Sequence, residues 1–275
     1  MHPLSLLADS SGLQFQFDLP FFLKFVFQPT PALIGGLAIT IYASIIAQAM
    51  GVVLGIFSAL AGMARNRVFR TISQVYVWFF RGTPVLVQIS LVYFGTPYLL
   101  GGLDLFPNHA VLGPIDLRGA VLAGTFALGV NEGAYMSEIV RAGIMSVDPG
   151  QTEAAKSLGM TYGLTMRRIV LPQALRVIIP PLGNEFNNML KTTSLMSVIA
   201  VQELYGNALN VYSASFKPFE VFFGVALYYL LLTTIWSTIQ GRIERRLGAS
   251  TARVEEPRTM RRLFGLGGSG AAGGR

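Results

Sequence analysis

Residues 33–60 run for 28 positions without one acidic or basic side chain. About 20 apolar helical residues already cross the hydrocarbon of a bilayer. In water, so much contiguous apolar surface would need a large buried α/β core. In lipid, a helix satisfies its own backbone hydrogen bonds and needs no such shelter. The composition favours lipid: 52% of the residues are hydrophobic and 13% are charged, about half the charged share of ordinary soluble domains. The expected fold class is all-α integral membrane.

Several chemistries are excluded early. The chain has no cysteine, which removes disulfides, thiol catalysis and cysteine metal sites. Its two histidines, His2 and His109, stand outside the long apolar runs, so no metal site of zinc type is expected. No phosphate-cradling G-x-x-x-x-G-K-[ST] motif occurs, and no nucleophile–base pair is visible, so the chain is not expected to be an enzyme. The N-terminus lacks a secretory signal pattern: no Lys or Arg precedes Lys24, and the apolar stretch at 21–27 is too short. The net charge of +7 does not point to nucleic acid, because the basic residues flank apolar segments, as loop charges of membrane proteins do.

Five spanning helices are expected, near 33–63, 68–100, 117–147, 168–204 and 219–247. The second is interrupted by Arg81-Gly82-Thr83-Pro84, which should kink or split it. Arg65, Arg67, Arg70, Arg141, Arg167, Arg168, Arg242, Arg245 and Arg246 fall on one side of these spans, and Lys24, Arg118 and Lys217 on the other. By the positive-inside rule the N-terminus lies outside and the C-terminus in the cytosol. Three regions follow. Residues 1–30, rich in Phe, suit an extracytoplasmic or interfacial segment. Residues 31–247 form the transmembrane domain. Residues 248–275, rich in Gly, Ala and Arg, have the composition of a disordered cytosolic tail.

Between the third and fourth spans lies a polar segment with its own start and stop signals. Asp148 is a suitable helix N-cap, Pro149 fits the first helical position, and Gly159 can take the left-handed conformation that ends a helix. Ala154 and Ala155 offer a small, smooth face that can sit in a partner's cleft, and Glu153 offers a carboxylate that a partner's arginine could hold. An ordinary capped loop helix packed on its own domain is the plainer alternative.

That segment carries a family resemblance. Gly150-Gln-Thr-Glu-Ala-Ala-Lys-Ser-Leu-Gly159, followed by Ile169-Val-Leu-Pro-Gln-Ala-Leu-Arg-Val-Ile-Ile-Pro-Pro-Leu-Gly-Asn184, resembles the permease subunits of ABC importers for polar amino acids, of the histidine, glutamine and arginine type. Arg81-Gly-Thr-Pro-Val-Leu-Val-Gln88, Gly133-Ala-Tyr-Met-Ser-Glu-Ile-Val-Arg-Ala-Gly143 and Lys191-Thr-Thr-Ser-Leu195 fit the same family in order. The resemblance covers roughly residues 33–247 and implies a type I importer permease fold with a cytosolic coupling helix at 149–159. It also implies a plasma-membrane location and three kinds of partner. These are cytosolic ABC ATPase subunits that bind the ATP, an extracytoplasmic amino-acid-binding protein, and a second permease chain, identical or related. The chain itself is expected to hold no cofactor. Rival readings are a related ABC permease for another small solute, such as an opine, and an ATP-independent carrier.

Polar side chains inside a membrane usually face a cavity or a partner. The candidates for a substrate path are Asn131, Glu132 and Tyr135 in the third span, and Asn184, Glu185, Asn188, Lys191, Thr192 and Ser194 in the fourth. Asn184, Asn188 and Lys191 share one helical face. Pro180-Pro181 just before them is expected to break the helix and free backbone carbonyls. Glu132 and Glu185 suit an ammonium group; Lys191, Thr192 and Ser194 suit a carboxylate. Members of that family often carry a small residue where this chain has Glu132. That extra acid either favours a cationic amino acid or is structural.

Overall fold

The computed structural model describes residues 17–248, except 104, 107–110, 113–114 and 117. All but Gly248 of the tail expected at 248–275 and the first half of the N-terminal segment lie outside these residues.

Eleven α-helices are described. Helix α1 is Leu19–Phe27 and α2 is Pro31–Gly62, and α3 (Arg67–Gly82) precedes α4 (Val85–Ser90). A π-helical segment, Leu91–Gly95, leads into α5 (Thr96–Leu99). Two short antiparallel strands, β1 (Val111–Leu112) and β2 (Ile115–Asp116), pair Val111 with Asp116. Then come α6 (Gly119–Met145), α7 (Pro149–Ser157), α8 (Tyr162–Thr165) and a second π segment, Met166–Val170. Helix α9 (Leu171–Thr192) runs into a 3-10 segment, Thr193–Ile199, and α10 (Leu204–Ser215) and α11 (Pro218–Arg246) complete the order. The described residues form two compact units, 17–138 with 185–236, and 139–184 with 237–248.

Two helices, α2 and α11, are long and apolar enough to cross a membrane unaided. The pair Arg67–Gly82 and Val85–Leu99 meets the same standard together, but bends by 104° at its break. Helices α6 and α9 exceed about 20 residues in length and owe their lower hydropathy to their polar side chains.

In the first unit, α2 turns a stripe of small and polar residues inward: Gly36, Thr40, Ala43, Ser44, Ala47, Gln48, Gly51, Gly55 and Ala59. Its opposite face exposes Ile41, Ile45, Val53, Phe57 and Leu60. This is the pattern of a helix whose solvent is hydrocarbon, where small residues let backbones approach closely. A Cβ at Gly51 would strike the Glu132 side chain, and one at Gly55 would strike the Met136 Cβ. Ser58, Ser73 and Ser137 then tie α2, α3 and α6 together through hydroxyl contacts of 3.0 and 2.9 Å. The apolar core gathers Ile39, Ile89, Leu128, Met189, Met196 and Ile199.

The expected fourth span, 168–204, is shorter than foreseen. Helix α9 stops at Thr192. Three successive hydroxyls return to carbonyls of the preceding turn: Thr192 Oγ1 to Asn188 O (2.9 Å), Thr193 Oγ1 to Leu190 O (2.9 Å) and Ser194 Oγ to Lys191 O (2.7 Å). Such back-bonding competes with α-helical bonds, and here the chain tightens into 3-10 geometry. Ala200, at φ 60°, closes that segment. Glu203 then caps α10, accepting from Tyr205 N (2.9 Å) and Gly206 N (2.6 Å). Thr40 and Tyr229 hydroxyls also donate to it, so this wholly buried carboxylate joins α2, α10 and α11.

The expected break at Pro180-Pro181 is absent; α9 continues through both prolines. Proline's fixed φ is helical; the cost is a missing N–H donor and a ring crowding the carbonyl four residues earlier, which a packed membrane helix can absorb. Within the second unit, Gln240 Nε2 stands 3.2 Å from both Pro180 O and Asn184 Oδ1. Gly183 leaves the room that Gln240 needs, since a Cβ there would lie 2.5 Å from its carboxamide carbon.

Candidate functional site

The site of the first unit is built on the bend between α3 and α4. Thr83 is extended and Pro84 lacks an N–H, so the last carbonyls of α3 lose their helical donors. Gln88, buried to 5% exposure, reaches back and donates to Phe80 O (3.0 Å), Thr83 O (3.1 Å) and Thr83 Oγ1 (2.7 Å). Asn131 of α6 donates to the same Phe80 O (2.9 Å) and to Gln88 Oε1 (3.0 Å). Tyr76 OH adds a 2.6 Å bond to Val130 O. The break is thus fixed to α6 by side chains.

An open cavity of about 550 Å³ lies beside this bend. Residues 81–85 form one wall, Leu128, Asn131, Glu132 and Tyr135 of α6 another, and Glu185, Asn188, Met189 and Thr192 of α9 a third. Three of these side chains are charged. The Arg81 guanidinium forms an ion pair with Glu138 and lies 5.2 Å above the Tyr135 ring. Glu132, only 4% exposed, accepts at Oε1 from Gln48 Nε2 at 2.9 Å. Glu185 belongs to the same lining. The cavity therefore combines guanidinium, carboxylate, hydroxyl and carboxamide groups inside an otherwise apolar unit.

Of the nine path residues proposed from sequence, six line this cavity: Asn131, Glu132, Tyr135, Glu185, Asn188 and Thr192. Three do not. Lys191 and Ser194 face a second groove with Tyr205, Phe222 and Tyr229. Asn184 bonds Gln240 in the other unit. The cavity-lining face of α9 is therefore 185, 188, 189 and 192, not the face of Asn184 and Lys191. In the sequence, Arg81 and Gln88 stand out as the ends of a motif and not as path residues, and Gln48 does not stand out at all. A charge directly before Gly-Thr-Pro within an apolar stretch was the available signal for Arg81. Gln48 gave none beyond being polar.

In the second unit, α7 matches its local signals. Asp148 Oδ1 accepts from Gly150 N at 2.8 Å, Pro149 opens the helix and Gly159 takes φ 75°. The expected alanine face is divided: Glu153 and Ala154 are exposed, while Ala155 is buried to 1%. A helix packed on one side must split adjacent residues in this way. Leu158 (82% exposed) and Tyr162 extend the outer surface with apolar area.

Residues 51–249 match the family described as the binding-protein-dependent transport system inner membrane component. The chain belongs to this family. It is 41% identical to the arginine transport system permease protein ArgU of Corynebacterium glutamicum over 229 residues, 82% of this chain and 71% of that one. It is 35% identical to the octopine transport system permease protein OccM of Rhizobium meliloti, covering 87% and 95%. A crystal structure of an amino acid ABC transporter with histidines superposes with a TM-score of 0.71 at 37% identity, over 84% of this chain and 99% of that one. The fold is that of an all-α integral membrane permease of the type I importer class. In such a permease a charged cavity beside a bent helix is functionally expected, since buried charge in lipid is costly without a role.

Proposed function

We propose that this chain is the transmembrane permease subunit of an ATP-driven importer of polar amino acids, and that the cavity at the bend is part of its translocation path. The observation that carries this reading is that one lining holds side chains of both signs, Arg81 as well as Glu132 and Glu185. A zwitterion needs donors for its carboxylate and acceptors for its ammonium. The similarity to amino-acid permeases supports the same reading.

On this reading the five spans are α2, the bent α3–α5, α6, α9 and α11, with the N-terminus outside and the C-terminus in the cytosol of a plasma membrane. Cytosolic ABC ATPase subunits bind the ATP and dock on α7, where Glu153, Ala154, Leu158 and Tyr162 are exposed. Ala155 packs the helix from within, and Gly159, exposed at φ 75°, ends it. An extracytoplasmic binding protein delivers the solute, and a second permease chain, identical or related, completes the assembly. The chain itself needs no cofactor and performs no covalent chemistry.

Reconstitution in proteoliposomes with its ATPase and binding protein tests this. ATP-dependent uptake of labelled amino acid is expected. Uptake that persists without ATP would refute the importer reading in favour of a carrier. The 35% identity to an octopine permease favours one second reading, an opine permease; octopine as the sole effective competitor would establish it.

A further inference from the structure

The charges of the cavity do not balance. Arg81 is its only cation among the described residues, and Glu138, outside the lining, already neutralises it. That leaves the carboxylates of Glu132 and Glu185, neither paired with a Lys, Arg or His among the described residues. Glu132 is 4% exposed and sits on α6 against Gly51 of α2, where the absent Cβ makes room for its stem. Gln48, 6% exposed, donates to one oxygen, Oε1. No protein donor among the described residues reaches the other oxygen. Gln48 Oε1 is itself buried without a partner, an uncommon cost that a folded chain seldom carries without reason. A buried carboxylate left half-satisfied calls for a cation or a proton.

We infer that the cavity selects a solute with a cationic side chain, whose ammonium or guanidinium lies between Glu132 and Glu185. Gln48 is a positioning residue that fixes the Glu132 carboxyl by holding one oxygen and leaving the other to the cavity. Such a solute adds the charge that the lining lacks, whereas a neutral or acidic one leaves two carboxylates unmatched or adds a third. The inference rests on the cavity being the amino-acid path.

The test compares arginine with citrulline, which has nearly the same shape without the charge. Equilibrium dialysis of labelled arginine and citrulline against the solubilised permease–ATPase complex removes the binding protein's own selectivity. Arginine should bind at least about tenfold more tightly than citrulline, the effect of one charge-assisted contact. Glu132→Gln, nearly isosteric and still able to accept from Gln48, should erase most of that preference by weakening arginine more than citrulline. Glu185→Gln gives an independent reading if Glu132→Gln does not assemble. Gln48→Leu should weaken arginine more than citrulline, which a merely structural role would not produce. Equal binding of arginine and citrulline, or an unchanged preference in both acid variants, overturns the inference. Uptake of neutral amino acids by the reconstituted system with no arginine binding sinks the charge selectivity alone. No uptake of any amino acid sinks the amino-acid path as well.

Discussion

Gln88 Nε2 stands 3.0 Å from the Phe80 carbonyl oxygen, across a chain bend of 104°. One carboxamide thereby does what a helical turn would otherwise do for the end of α3, and the cavity wall at 81–85 depends on it. Gln88→Leu keeps the volume and removes the donor. It should cost about 1–3 kcal/mol, the penalty of leaving buried carbonyls unmet. A lowered thermal midpoint of the purified complex checks this, and an unchanged midpoint would show that Asn131 suffices.

The close approach of α2 to α6 offers a contrast on one helix. A Cβ at Gly55 would strike Met136 Cβ and lie 2.9 Å from Met136 C and Ser137 N, whereas one at Gly35 meets nothing within 4 Å. Gly55→Ala should destabilise by about 1–3 kcal/mol, because backbone cannot rotate aside. Gly35→Ala should be neutral or stabilising by up to ~1 kcal/mol through helix propensity. Thermal unfolding of both variants in the same detergent decides it; equal effects would refute the packing account.

At α7 the residues separate by role. Glu153 is exposed, so Glu153→Ala should leave the thermal midpoint unchanged while ATP-driven uptake falls sharply. Gly159, at φ 75° with nothing within 4 Å of its missing Cβ, suffers only backbone strain. Gly159→Val should cost about 1–3 kcal/mol for a branched residue held in the left-handed region and reduce uptake with it. Full uptake in Glu153→Ala would remove α7 as the ATPase contact.

Asp18 clasps α1 to the start of α11. Its carboxylate pairs with Lys217 and accepts from Phe21 N at 2.9 Å, and the Lys217 ammonium lies 4.5 Å from the Phe21 ring centroid. The Lys217 hydrogen bond first, and then the Phe21 N–H, hold this carboxyl below its ordinary value. A depressed value means that folding favours the ionised form. The clasp is therefore complete above the usual carboxylate range, near pH 4, and weakens as the pH falls through the lowered value. The protection of α1 amides against hydrogen exchange, taken relative to the intrinsic rate at each pH, should be high at pH 6 and lower below about pH 4. Asp18→Asn should show low protection at both.

The Arg81–Glu138 pair is partly exposed, with side chains at 40% and 38%, so its removal should cost ~1 kcal/mol or less in stability. Its effect on the cavity should be larger. Glu138→Gln releases the guanidinium toward Glu132 and Glu185, so cationic solutes should bind more weakly and acidic ones more tightly. Dialysis with arginine and glutamate on the variant checks the direction.

Much of this architecture could be read from local rules. The uncharged run at 33–60 required a spanning helix, and α2 occupies it. Asp148, Pro149 and Gly159 announced α7, whose ends depend on neighbouring backbone alone. Arg81-Gly82-Thr83-Pro84 marked the bend, because proline and glycine act within a turn of themselves. Prolines at 180 and 181 misled for the complementary reason: each removes one N–H donor, but whether a helix stops there is set by its packing, and α9 runs on through both.

The sequence by itself determined the membrane class, the segment order, the capped polar helix and the inventory of buried polar groups, since hydrophobicity, capping and backbone freedom are properties of short stretches. Only the tertiary structure decided which of those groups meet. It put Glu132 with Gln48, Arg81 with Glu138, and Glu185 rather than Asn184 on the cavity face. Those choices depend on the rotation of each helix and on the 104° bend, which are set by packing between segments far apart in the chain.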